Sequence, residues 1–175
     1  ATGIINLPVS ETVQARLVYN HHEHDGYARS LALNEDIYDR KQDYVRASVR
    51  VAPSERFEML LIGDYVKFSG ASQFYKLNYL AAGSPLAAFQ TPDFYTNNAG
   101  FNPRTTNEAY NATAIITAEN DIFTVKSISA YRHVAATRGA DLDGVPQALR
   151  DFVAFPTKNE QISQEVQFYG SAMNG

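Results

Sequence analysis

The chain has 175 residues with 19 acidic and 15 basic side chains, a formal net charge of −4 and no cysteine. Without clustered basic residues it does not fit a nucleic-acid binder, and without cysteine it has no disulfides, thiolate metal ligands or cysteine nucleophile. Its longest apolar run, Met59-Leu60-Leu61-Ile62, is far shorter than the roughly 20 residues of a membrane-spanning helix.

A period-two alternation of apolar and polar side chains predicts a series of β-strands. It is clearest in residues 43–51, where valine and alanine alternate with tyrosine, serine and arginine. A helix would scatter these charges around its axis, whereas a strand places them on one face. In chain order, the predicted strands cover residues 3–7, 12–22, 43–51, 57–68, 110–117, 123–132 and 162–168.

The connections between these strands alternate in length. Residues 8–11, 52–55 and 119–121 are short turns, whereas residues 24–42, 69–107 and 135–161 are long polar segments on one end of the sheet. Long irregular connections are uncommon in compact soluble domains, but transmembrane barrels have short periplasmic turns and long extracellular loops. The predicted fold is therefore all-β, an antiparallel up-and-down meander of about six or seven strands from a transmembrane β-barrel.

Several segments also carry a family resemblance. They are Gly3-Ile4-Ile5-Asn6-Leu7-Pro8, His24-Asp25-Gly26-Tyr27, residues 43–50, Gly63-Asp64-Tyr65, residues 125–132, Asp141-Leu142-Asp143-Gly144 and residues 163–167. In this order and spacing the chain resembles the barrel portion of TonB-dependent receptors, in the branch common among sphingomonad-like bacteria.

The resemblance implies active uptake of a scarce solute, such as a siderophore or other iron chelate, cobalamin or a saccharide, across the outer membrane of a Gram-negative bacterium. The implied partners are outer-membrane lipid, a small-molecule solute and the TonB complex, which would act through a plug domain. No cofactor and no nucleic acid are expected.

Residues 1–175 are expected to form the N-terminal part of the family's 22-stranded barrel, without the plug and the C-terminal strands. As an isolated sheet, this part is expected to be open or partly curled. An eight-stranded closure is the alternative if residues 74–94 add strands.

Two groups of candidate site residues follow. The strand phase predicts that polar side chains face the lumen, where they could pair with a plug, guide an anionic solute or simply be hydrated: Arg16, Arg46, Arg50, Lys126 and Arg132, together with Glu58, Asp64 and Glu165. The middle long loop is rich in aromatic residues that either contact the substrate or pack within the loop or against its neighbours: Phe74, Tyr75, Tyr79, Phe89, Phe94 and Tyr95.

Two sequences suggest metal ligands, but neither is predicted to bind one. In His21-His22-Glu23-His24, alternation places His22 and His24 on one face, and a polar stripe is the simpler interpretation. In Asp141-Leu142-Asp143-Gly144 the alternation of oxygen ligands stops after two residues, so a turn is predicted instead of a calcium loop.

No catalytic residue is predicted, because the sequence has neither a nucleophile-elbow nor a phosphate-binding motif. The protein is therefore not expected to be an enzyme, and a hydrolase on a β scaffold is the least favoured alternative. The main alternative is a small soluble β-sandwich or β-barrel ligand-binding module. It requires the face that carries Val45, Val49, Phe123 and Val125 to be buried in a protein core.

Overall fold

A computed structural model describes residues 1–71 and 73–170 of the chain. Residues 72 and 171–175 of the expected 1–175 domain therefore lie outside the described residues.

None of the described helices is long and apolar enough to span a membrane. A 3₁₀ helix covers Pro85–Phe89. The strands are β1 (Thr2–Pro8), β2 (Val13–His24), β3 (Ala28–Ser30), β4 (Glu35–Ile37), β5 (Arg40–Ser54), β6 (Phe57–Ala71), β7 (Gln73–Phe74), β8 (Thr96–Asn97), β9 (Arg104–Glu119), β10 (Phe123–Asp141) and β11 (Asp151–Gly170).

The main sheet confirms the predicted antiparallel meander. Its long strands follow the order β1-β2-β5-β6-β9-β10-β11, and each pairs antiparallel with the next. Six of the seven predicted segments lie within one of these strands, and the segment predicted over residues 12–22 begins one residue before β2. Short turns join β1 to β2, β5 to β6 and β9 to β10 at one end of the sheet, and all longer connections lie at the other end.

The strands are longer, and the loops shorter, than the sequence pattern predicts. Strand β10 runs to Asp141 and β11 begins at Asp151, so the connection predicted over residues 135–161 contracts to residues 142–150. In these extensions, polar residues lie on both faces and the apolar alternation disappears. The backbone ladder continues because its hydrogen bonds do not depend on side-chain polarity.

The sheet is open, as expected for an isolated part of a barrel, and the alternative of an eight-stranded closure is not observed among the described residues. Strands β1 and β11 lie at opposite ends of the strand order and do not pair with each other. The middle loop adds two short strands, β7 parallel to β10 and β8 parallel to β3, the latter in a separate sheet of order β4-β3-β8. These short strands extend the loop structure without closing a barrel.

The buried apolar residues lie in the loops instead of the long sheet. Ile37, Phe74 and Ala99 form one buried cluster. Val145, in the connection between β10 and β11, is also buried. Among the described residues, Ala109 is the one buried apolar residue of the long strands. The long sheet is thus a single layer, while the loops above it form a small packed unit.

The loops approach one another at two glycines. A Cβ on Gly100 would lie 2.2 Å from the carbonyl oxygen of Pro146, and one on Gly144 would lie 2.5 Å from that of Tyr75. Gly144 also has a φ of +67°, which disfavours side chains with a Cβ. The middle loop and the β10–β11 connection are therefore packed backbone against backbone.

Candidate functional site

One face of the sheet carries a row of polar side chains across four neighbouring strands. Arg46, Asp64, Asn111 and Arg132 are consecutive partners in the register of β5, β6, β9 and β10. The Asn111 amide Nδ2 donates a hydrogen bond to Asp64 Oδ1 at 2.6 Å. These residues line a groove of about 440 Å³. The row offers two guanidinium groups beside one carboxylate, which suits an anionic group or a carboxylate-bearing partner.

The remaining predicted lumen-facing residues share this polar face. Arg50 makes a salt bridge to Glu58, with Nη2 at 2.6 Å and Nε at 3.0 Å from Glu58 Oε2. Arg16 pairs with Ser48, and Lys126 pairs with Thr117. The face is not uniformly polar, because one row of the register contains Leu60, Ile115 and Ile128. That the polar side chains of this face contact a lumen stays a prediction.

The opposite face carries an apolar band. Its central rows are mostly aliphatic and small, interrupted by Tyr131, Ser129 and Gln164 towards β11. The solvent-exposed apolar side chains among them are Ile5, Leu7, Leu17, Ala47, Leu61 and Ile162. Leu61 is 41% exposed although it lies on a strand with neighbours on both sides. A soluble domain rarely exposes so large a contiguous apolar surface.

Aromatic residues border this band at both ends. Tyr19, Tyr65 and Tyr110 lie in one row of the register at the loop end. Phe57, Phe123 and Phe168 lie on the same face at the short-turn end, and each is exposed. On β6 the two borders are Phe57 and Tyr65, eight residues apart. This spacing is about 27 Å along a strand, or roughly 20 Å along the bilayer normal if the strand tilts by about 40°. This height is close to the ~25 Å apolar band of outer-membrane barrels.

Carboxylate side chains follow immediately above the tyrosine row and accept hydrogen bonds from it. Asp43 Oδ1 accepts hydrogen bonds from Tyr19 Oη and His21 Nδ1, both at 2.8 Å. Tyr65 Oη donates to Glu108 Oε1 at 3.0 Å. The tyrosine rings thus face the apolar band while their hydroxyl groups contact charged residues, an arrangement typical of a membrane–water interface.

The histidine cluster divides between the two faces of β2. His22 and His24 share one face, and their ring centroids are 5.6 Å apart. The ring centroid of His24 is also 6.0 Å from that of Tyr27. His21 lies on the other face, where its Nε2 is 3.1 Å from Glu23 Oε2. Both ring nitrogens of His21 therefore contact carboxylates, and among the described residues no group of three or more metal-binding side chains includes these histidines.

The aromatic residues of the middle loop separate into a buried and an exposed set. Phe74 is 7% exposed and packs in the loop core, and its backbone carbonyl accepts a hydrogen bond from Tyr38 Oη at 3.2 Å. Phe74 packs against Ile37 of the neighbouring loop, and its contact with a substrate stays a prediction. Tyr79 and Phe94 are 97% and 82% exposed. Tyr75 and Tyr95 are also exposed, and Phe89 is half-buried.

Three aspartates meet where β10 ends and β11 begins. One carboxylate oxygen from each of Asp141, Asp143 and Asp151 lies within 4.8 Å of the other two. Asp141 and Asp143 lie in the Asp-Leu-Asp-Gly segment that was predicted to be a turn, whereas Asp151 was not predicted to join them. The only available signal was a third aspartate at the far end of a short connection, and its approach depends on the β10–β11 register.

No protein-family model matches the chain, and no curated protein matches it. Among solved structures, the fold is similar to the crystal structure of the ferric yersiniabactin uptake receptor FyuA from Yersinia pestis, with a TM-score of 0.70 and 16% identity. The similarity covers 98% of this chain and 26% of the receptor chain. At this identity it establishes the fold, and the chain spans about a quarter of the length of the structure it matches.

Proposed function

We propose that the chain forms part of the wall of an outer-membrane uptake receptor. The observation that carries this proposal is the exposed apolar band bordered by tyrosines on one side and phenylalanines on the other. Its height suits the hydrocarbon layer of a bilayer. The opposite face, with Arg46, Asp64 and Arg132, would then face an aqueous interior, and the packed loops would lie outside the cell.

The soluble-module alternative lacks the core that it requires. Phe123 is 44% exposed, and Val45, Val49 and Val125 on the same face are only half-buried. The described residues provide no second layer over these side chains. A lipid environment accounts for the exposed apolar band without a second protein layer.

The finer assignment joins the sequence resemblance to the fold. We take the whole protein to be a TonB-dependent receptor, of which residues 1–175 form a partial barrel domain, and its partners to be outer-membrane lipid, the TonB complex and a small-molecule solute. The FyuA similarity supports an uptake receptor fold, and because FyuA is a ferric yersiniabactin uptake receptor, a siderophore is the solute class that we favour. The sphingomonad-like branch stays a prediction from sequence.

Within this proposal, two surfaces would meet the solute. Tyr79, Phe94 and Tyr95 present exposed rings on the middle loop. In the connection between β2 and β5, Tyr27 and Tyr38 stack with centroids 5.2 Å apart, and Tyr27 also contacts the ring of His24. Aromatic faces of this kind suit a flat or cyclic ligand. The arginine-containing groove of the polar face would lie further along the same path.

Site-directed spin labelling tests the orientation of the sheet. Ala47 and Ser48 are adjacent on β5, are both small and face opposite sides. In the full-length protein in liposomes, with no other cysteine present, a nitroxide on Ala47→Cys is expected to collide preferentially with oxygen, which concentrates in lipid. A nitroxide on Ser48→Cys is expected to collide preferentially with a water-soluble nickel chelate.

Ala114 and Thr113 on β9 provide an independent pair with the same alternation. A label on Ala47→Cys that is shielded from both reagents would indicate a protein core and support the soluble module. A label there that collides mainly with the nickel chelate would contradict the proposed lipid contact.

A further inference from the structure

The three aspartates at the β10–β11 connection lie well outside the apolar band. Asp141 is ten residues beyond Tyr131 along β10. The connection from residue 142 to 150 turns back at once, so that Asp151 opens β11 and is the register partner of Asp141. The site is therefore built by two adjacent strands and the turn between them.

Backbone hydrogen bonds fix two of the carboxylates. Asp141 Oδ1 accepts from the Gly144 N–H at 2.8 Å. Asp143 Oδ1 accepts from Val145 N–H at 3.0 Å, and its Oδ2 accepts from Arg150 N–H at 2.6 Å. These bonds orient the side chains but leave one oxygen of Asp141 and one of Asp151 unused.

The unused oxygens are buried. Asp141 is 0% exposed, and its Oδ2 has no hydrogen-bond partner among the described residues. The same holds for the buried Oδ1 of Asp151. A buried carboxylate oxygen without a partner costs on the order of several kcal/mol when it is charged. Two such oxygens next to a third carboxylate constitute an arrangement that a cation would stabilise.

The electrostatics point the same way. Burial raises the pKa of Asp141 and the charge of Asp143 adds to the rise, whereas the backbone N–H groups of Gly144, Asp143 and Phe101 oppose it. Burial also raises the pKa of Asp151, and the charges of Asp141 and Asp143 contribute. No lysine or arginine side chain within residues 1–71 and 73–170 forms a salt bridge to any of the three. Within the described part of the chain, no basic side chain therefore pairs with this negative charge.

From this geometry we propose that Asp141, Asp143 and Asp151 bind a calcium ion that holds the β10–β11 connection in place. Calcium binds carboxylate and carbonyl oxygens at about 2.3–2.6 Å, which allows two ligand oxygens to lie up to about 5 Å apart. The spacing of the three carboxylates falls within that limit. Magnesium is less suitable because it demands a shorter, near-ideal octahedral shell and keeps most of its waters. The proposal does not depend on the transport function.

The test is a calcium titration of the full-length protein in detergent, after removal of divalent cations, by isothermal titration calorimetry. Wild type is expected to bind with a dissociation constant of about 10⁻⁴–10⁻³ M, the range of extracellular calcium modules. Asp151→Asn is the main variant, because no backbone N–H depends on the Asp151 side chain in the hydrogen bonds described above. It is expected to weaken calcium binding roughly tenfold or more, since affinity follows the number of charged ligands.

Asp36→Asn is the matched control. Asp36 lies in another loop at the same end, and its side chain is 61% exposed and paired with Arg29. This variant is expected to bind calcium like wild type. Absence of saturable binding by wild type up to about 10 mM, ten times the weak end of the expected range, would overturn the proposal. So would unchanged binding by Asp151→Asn, and equal affinity for magnesium would overturn the choice of calcium.

Amide hydrogen exchange distinguishes a ligand role from a merely structural one. If the aspartates bind calcium, the ion slows exchange of residues 144–150 in wild type and has no such effect in Asp151→Asn. Without calcium, the variant is expected to exchange no faster than wild type, because removing a buried charge relieves repulsion. Faster exchange of the calcium-free variant, with no calcium effect in wild type, would assign the cluster a structural role and contradict the proposal.

Discussion

Leu61→Arg is expected to destabilise the membrane-inserted protein by about 2–4 kcal/mol, the cost of an arginine at the bilayer midplane of an outer-membrane barrel. Leu61 lies on β6 midway between Phe57 and Tyr65, the residues that border the apolar band on that strand. A guanidinium at this depth has no water within reach. Equilibrium unfolding of the full-length protein in phospholipid vesicles, followed by its electrophoretic mobility shift, measures the change.

The next residue along the strand supplies the control. Ile62 points to the polar face, where its register partners are Ser48 and Thr113. Ile62→Arg would contact an aqueous interior and is expected to change stability by well under half the amount found for Leu61→Arg. Equal costs at both positions would contradict the assignment of the two faces, since the pair differs only in the side to which the arginine points.

Ile37→Ala is expected to cost roughly 2–5 kcal/mol of the stability of the loop unit, the range for truncating a buried isoleucine. Ile37 is 0% exposed and lies in the connection between β2 and β5, where it packs with Phe74 and Ala99 from opposite ends of the middle loop. The loops should open locally while the long sheet stays intact, because Ile37 contributes nothing to the antiparallel ladder of the long strands. Hydrogen exchange of residues 28–37 and 96–99 is expected to accelerate about 30-fold or more.

Leu31→Ala, in the same loop, is the matched comparison. Leu31 is 50% exposed, so its truncation leaves little cavity and is expected to change exchange by less than about threefold, within the ±0.5 kcal/mol of ordinary surface substitutions. Equal acceleration in both variants would show that the cluster around Ile37 is not the core of the loops. Loss of the mobility shift by Ile37→Ala would show that the loops and the sheet fold as one unit.

The two pairs of variants examine different parts of the structure. The long sheet has no protein core of its own and depends on its surroundings to cover one face. The loops have a small core that does not depend on lipid. We therefore expect changes of lipid thickness to affect Leu61 variants and leave Ile37 variants unchanged.

The sequence by itself determined the strands and their two faces. Alternation is a property of neighbouring residues, so Val45 and Arg46 already indicate opposite sides before any pairing is known. The same local rule placed Arg16, Arg50, Lys126 and Arg132 together, and the register puts them on one face of the sheet. It failed at residues 135–141 and 151–161, where apolar and polar side chains do not alternate, although the backbone ladder continues through both segments.

The tertiary structure decided how the loops are arranged. Phe74 and Tyr79 are both aromatic residues of one loop, yet one is buried and the other is exposed, because only Phe74 meets Ile37 from a distant segment. Asp151 joins Asp141 only through the pairing of β10 with β11. Contacts of this kind depend on several chain segments meeting at one place, and no periodic pattern records where an irregular segment returns.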